Sequence, residues 1–74
     1  MTSYTQADLD MAERHIAQGE QHIVEQEERL TALRTKGLPT AEAEKLLSLL
    51  NETQVEHRNH RDAIATAIQK AADE

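Results

Sequence analysis

Cysteine, phenylalanine and tryptophan are absent from this chain, and Tyr4 is its single aromatic residue. Without cysteine there is no disulfide framework and no thiolate nucleophile, and the redox compartment is left open. Without Phe or Trp there is no platform on which single-stranded bases could stack. Two glycines and one proline are too few for a loop-rich or β architecture. No apolar run approaches the length that spans a bilayer. The opening residues lack the basic start and apolar run of a signal peptide. A soluble, cytoplasmic protein is therefore expected, with no membrane partner.

Charge excludes a further class. Fourteen acidic residues against eight Lys and Arg give a net charge of −6. The acids are spread along the chain rather than massed in a tail. A phosphate-backbone binder draws its affinity from Lys and Arg that neutralise phosphates, so no nucleic-acid partner is expected.

The residues that are present favour helix. The 74 residues are rich in Ala, Glu, Gln, Leu and Arg. That length makes one small domain, and chains so short often need partners to complete a core. The strongest break is Leu33-Arg34-Thr35-Lys36-Gly37-Leu38-Pro39-Thr40. Gly37 can take the left-handed conformation just past a helix, with Leu38 folding back on Leu33. Pro39 blocks continuation, and Thr40 can cap the next helix. At the other end Thr5-Gln6-Ala7-Asp8 has the form of a capping box. The pattern predicts an all-α antiparallel hairpin over residues 1–74: helix 1 at about 6–36, a turn at 37–39, and helix 2 at about 40–72.

Leu9, Ile16, Ile23 and Leu30 recur every seven residues, one seam of a heptad. Ala12, Gly19, Gln26 and Leu33 make the companion seam. A short internal repeat keeps Glu13, Glu20 and Glu27 on one flank and His15, His22 and Arg29 on the other. In helix 2 the expected seam is Ala43, Leu46, Leu50, Thr53, His57, His60, Ile64, Ala67 and Ala71, at alternating spacings of three and four. Leu47, Leu49 and Ile68 widen the stripe, which implies contact with more than one neighbouring helix; the alternative is a single partner with Leu49 partly exposed. Folding about the turn then sets Leu30 beside Leu46, Gly19 beside His57 and Ile16 beside His60.

A lone hairpin cannot enclose a core. The expected assembly is a homodimer, an antiparallel four-helix bundle with the leucine-rich turns at opposite ends. Its expected interface is Leu9, Ile16, Ile23, Leu30, Leu46, Leu47, Leu49, Leu50, Ile64 and Ile68. The function this supports is a structural or protein-interaction module, an adaptor or regulator, with an unidentified protein as a further partner.

The densest chemistry is Glu56-His57-Arg58-Asn59-His60-Arg61-Asp62. His57 and His60 can share one helix face, and His15 should lie at nearly their height. Imidazole with carboxylate is a ligand set for zinc or nickel, so His15, His57 and His60 form the candidate metal site and the rival function. The spacing is not His-Glu-x-x-His, nor the Glu-x-x-His of four-helix carboxylate centres. The plainer alternative is a polar layer, with the histidines hydrogen-bonded to Gln26, Thr53 or water. A third is a pH response, if His57 and His60 are buried. Arg58 and Arg61 make a small basic cluster interrupted by acids, with Arg58 expected to pair with Asp62. No cofactor is implied. Nothing places Ser3 or Ser48 beside a base, so no enzymatic activity is expected.

The segments Met11-Ala-Glu-Arg-His-Ile-Ala-Gln-Gly-Glu20, Gln26-Glu27, Gly37, Ala43-Glu44, Leu46-Leu47 and His57-Arg58 with His60-Arg61-Asp62 span most of the chain. In these the chain resembles short uncharacterised helical-hairpin proteins common in alphaproteobacteria. The resemblance implies a small soluble bacterial protein and brings no activity, cofactor or catalytic residue with it.

Overall fold

In a computed structural model, which describes residues 4–73, the chain is an all-α hairpin. Met1–Ser3, and with them the Ser3 hydroxyl, and Glu74 lie outside the described residues. Helix α1 runs Gln6–Thr35 and α2 runs Ala41–Asp73, packed against one another as a rod of 59 × 15 × 14 Å. Among the described residues no helix is long and apolar enough to cross a membrane.

The ends of α1 are set by its local sequence. The Thr5 hydroxyl accepts the Asp8 N–H at 3.3 Å, and the Thr5 N–H donates to the Asp8 carboxylate at 2.8 Å. This reciprocal box gives the Thr5 N–H a partner and the Asp8 N–H a second acceptor beside the Thr5 carbonyl at 3.1 Å. At the far end Gly37 has φ +69°. Leu38 N–H reaches back to the Leu33 carbonyl at 2.9 Å, and Gly37 N–H to the Arg34 carbonyl at 3.1 Å. That pair of bonds is the Schellman closure, and its left-handed residue has no side-chain cost when it is glycine. Thr40 ends the turn differently from a side-chain cap. Its carbonyl accepts the Glu44 N–H, and its hydroxyl donates to the Glu44 carboxylate at 3.4 Å.

On α1 the least exposed positions are Leu9, Ala12, Ile16, Gly19, Ile23, Gln26, Leu30 and Leu33. These are the two expected heptad rows. On α2 the inward rows are Ala43, Leu50, His57, Ile64 and Ala71 with Leu47, Gln54, Arg61 and Ile68. The second row replaces the expected Leu46, Thr53 and His60, all of which are exposed. One row is kept and the other moves by one residue, so the helix is turned by about half a residue, roughly 50°.

Two side-chain properties account for the difference. Thr53 has a local partner, its hydroxyl donating to the Leu49 carbonyl at 2.9 Å, and so it needs nothing from α1. Gln54 is long enough to cross the seam and donates from Nε2 to the Ile16 carbonyl at 2.7 Å. It passes over Gly19, and its Oε1 lies where a β-carbon at residue 19 would be. Gly19 therefore faces Gln54, not His57. Gln26 makes the reciprocal crossing, its Nε2 donating to the Ala43 carbonyl at 3.0 Å. Each helix thus sends one glutamine amide to the other's backbone. Both are buried, Gln26 at 6% and Gln54 at 3% exposure. A helical carbonyl has a second lone pair for such a bond, so neither crossing disturbs the helix ladder.

The apolar core is short: Ala12, Ile16, Leu30, Ala43 and Ile64. Ile16, Leu30 and Ile64 are buried between the two helices of one chain. They are closed to a second molecule, which narrows the expected oligomer interface to the remaining residues.

Candidate functional site

The hairpin has two long flanks of different character. Along one, Glu20 and Arg34 on α1 meet Arg58 and Glu44 on α2. Arg58 donates to Glu20 at 3.1 Å and Arg34 to Glu44 at 3.2 Å. The same flank carries a hollow lined by Ile23, Val24, Asn51, Gln54 and Val55. The expected pair of Arg58 with Asp62 is corrected: Arg58 reaches across to α1, and Asp62 takes its neighbour Arg61 at 2.6 Å. All these side chains are substantially exposed except that of Arg61, so the pairs close the flank without adding much stability.

The opposite flank carries Asp8, His15, His22 and Arg29 at seven-residue spacing on α1. Near the turn it opens into a groove of about 600 Å³ lined by Leu33, Pro39, Ala43, Leu46 and Leu49, with Gln26, Arg29, Glu42 and Lys45 around them. A second hollow of about 410 Å³ continues it along His22, Glu25 and Leu50, sharing Gln26, Arg29 and Leu46. Leu46 is 41% exposed and Leu49 57%. Among the residues expected at an oligomer interface these two are the exposed ones; Leu9, Ile23, Leu47, Leu50 and Ile68 are half-buried.

The open end of this flank holds His15, His57 and His60. Tyr4, Asp8, Met11, His15, His60 and Ile64 line a small hollow of about 140 Å³. The Tyr4 ring stands edge-on to His60, with centroids 6.2 Å apart and planes at 79°. His15 and His57 are neighbours across the helices at 5.7 Å, tilted by 52°. His57 is half-buried in the seam, whereas His60 and His22 are exposed. The expectation that His60 lies in the seam beneath Ile16 is corrected: Arg61 occupies that row, and His60 turns outward to Tyr4.

Among the described residues no three His, Asp or Glu side chains gather as a group that could hold a metal ion. Within the candidate trio His15 lies against His57, and His60 packs on Tyr4 across the hollow it shares with His15. Thr53 and Gln26 are not the histidines' partners either, being bonded to Leu49 and Ala43. The polar layer at the centre of the rod is instead made by glutamines. Gln54 is not conspicuous in the sequence; the signal that points to it is Gly19, a gap in an otherwise filled seam.

The flank is therefore a stripe of exposed leucine at one end and imidazole with Tyr4 and Met11 at the other. It offers contact area and charge, and among the described residues its hollows are open grooves. No family model, curated protein or solved structure matches this chain.

Proposed function

We propose that this protein is a self-associating helical hairpin, a homodimer in the form of a four-helix bundle, and that it acts in the cytoplasm as a structural or protein-interaction module rather than as an enzyme. The observation that carries this is the exposed pair Leu46 and Leu49 beside the turn-end groove. Large apolar side chains rarely cluster around an open groove without a use for it. Fully covering one leucine is worth about 1.5–3 kcal/mol, so association has a driving force that a single hairpin leaves unused. An adaptor or regulator role suits a rod whose chemistry is spread along its sides rather than focused in a pocket. The test is sedimentation equilibrium across micromolar concentrations, with melting followed over the same range. Association predicts a mass of at least two chains and a melting temperature that rises with concentration. A folded hairpin with the mass of one chain at every concentration and concentration-independent melting would overturn it.

A further inference from the structure

The two flanks differ in how their charges are used. One has both of its cations paired with anions across the helices, Arg58 with Glu20 and Arg34 with Glu44, and otherwise carries the acids Glu13 and Glu27. On the other, Arg29, Glu42 and Lys45 surround the leucine groove, Glu25 lies just beyond, and all four are exposed. Among the described residues none of these four is in an ion pair within the chain. Glu25 accepts a hydrogen bond from the Gln21 amide at 3.0 Å, which leaves its charge uncompensated. The groove thus carries one cation and one anion on each helix, available to a partner.

We propose that the occupant of this groove is a second copy of the chain, docked side by side with both turns at the same end. Arg29 of each copy then meets Glu42 of the other, and Glu25 meets Lys45. This rests on the self-association proposed above and specifies its face and direction.

The register of the hairpin supplies the match. Gly19 of α1 stands level with Gln54 of α2. Counting from that pair, Arg29 stands within about two residues of the level of Glu42, and Glu25 within about three of Lys45, or roughly 3–5 Å along the rod. A two-fold axis running along the rod keeps these heights and lays α1 of one copy over α2 of the other. Opposite charges then coincide twice on each side of the axis, as an interface that uses the same patch on both molecules requires. The groove of each copy, floored by Leu33 and Ala43, closes over the Leu46 and Leu49 ridge between them. With the turns at opposite ends, the same leucines would lie instead against the open end, where Asp8, His15 and His60 share the lining with Tyr4, Met11 and Ile64. That placement sets part of the leucine ridge against a carboxylate and imidazoles, whereas turns at one end set it against the leucines of the other copy.

The test uses charge reversal and a distance. Glu42→Arg and Arg29→Glu, made singly, should each weaken association roughly tenfold by placing like charges together twice per dimer. The double variant should recover to within about threefold of the original. Lys45→Glu with Glu25→Lys is an independent second pair, and circular dichroism at high concentration checks that each variant keeps its helices. Because the chain has no cysteine, a spin label on Lys36→Cys reports turn-to-turn separation directly. Turns at one end predict a label distance well below the 59 Å length of the rod. A dimer whose labels are a rod length apart, or whose single reversals leave association unchanged, overturns this arrangement and keeps self-association. A monomer at all concentrations overturns both.

Discussion

The amide oxygen of Gln54 occupies the place that a β-carbon on residue 19 would take, so Gly19 and Gln54 share one volume in the seam. Gly19→Ala should therefore lower stability by about 1–2 kcal/mol. The displaced amide loses its bond to the Ile16 carbonyl and the seam must repack, which outweighs the roughly 1 kcal/mol that alanine gains over glycine within a helix. In a Gln54→Ala background the obstruction is gone, and the same Gly19→Ala change should raise stability by about 1 kcal/mol. Denaturant titration of the four proteins reads the coupling directly. If Gly19→Ala has the same sign in both backgrounds, the two residues do not compete for the space.

The turn gives a prediction of the ordinary backbone kind. Nothing crowds Gly37, but its φ of +69° is one that side-chain-bearing residues resist. Gly37→Ala should cost about 1 kcal/mol through strain alone. Asparagine, which tolerates this region better, should cost less. An unchanged midpoint for alanine would mean that α1 ends without the left-handed residue.

These two sites also mark how far the fold is legible from composition and spacing. The turn is written locally: Gly37 and Pro39 act within a few residues of themselves, as do Thr5 and Asp8 at the start of α1. The α1 seam is legible too, because Leu9, Ile16, Ile23 and Leu30 repeat at one spacing with no competing apolar row. The second row of α2 is not. Leu46 and Leu47 are equally apolar, and further on the choice lies between Thr53 with His60 and Gln54 with Arg61, polar in either case. The deciding contact is tertiary: a glutamine long enough to reach the Ile16 carbonyl across the opening at Gly19. The same contact parts the histidines. His57 lies on the row common to both alternatives and stays in the seam, while His60 lies on the row that turns outward.

That division separates the two histidines experimentally. His57→Leu fills a half-buried seam position with an apolar side chain and should raise stability by up to about 1 kcal/mol. His60→Leu changes an exposed residue and should fall within about 0.5 kcal/mol of the original. Zinc should leave the melting temperature of the unaltered protein unchanged, since a ligand that binds only the folded state would raise it. A zinc-dependent rise that vanishes in His57→Leu would restore the metal-binding alternative.

Gln26 tests whether the crossing amides stabilise the hairpin or select its register. Its Nε2 bonds to the Ala43 carbonyl, which also belongs to the α2 ladder. Gln26→Leu removes the amide and leaves that carbonyl its own helix to accept from. Stability should be unchanged or higher by about 1 kcal/mol, because a buried polar side chain is replaced by one of similar size. The cost should appear as loss of uniqueness, since polar positions in a seam penalise slipped pairings. Amide resonances that broaden or double in Gln26→Leu would report it. A loss of about 2 kcal/mol or more with sharp resonances would show that the bond itself holds the helices together.

The flanks allow a matched comparison for self-association. Leu49 and Val55 are almost equally exposed, at 57% and 56%, and lie on opposite sides of the rod. Glutamine is a good helix former at either place, so helix content is held nearly constant. If the leucine groove is the contact, Leu49→Gln removes about 1 kcal/mol of covered apolar surface from each copy, roughly thirtyfold in the dissociation constant of a dimer. Val55→Gln, beside the pairs that already close its own flank, should leave that constant within about threefold. Sedimentation of both variants over one concentration range is sufficient. Equal weakening by the two would mean that association uses both flanks, and weakening by Val55→Gln alone would move the interface to the ion-paired side.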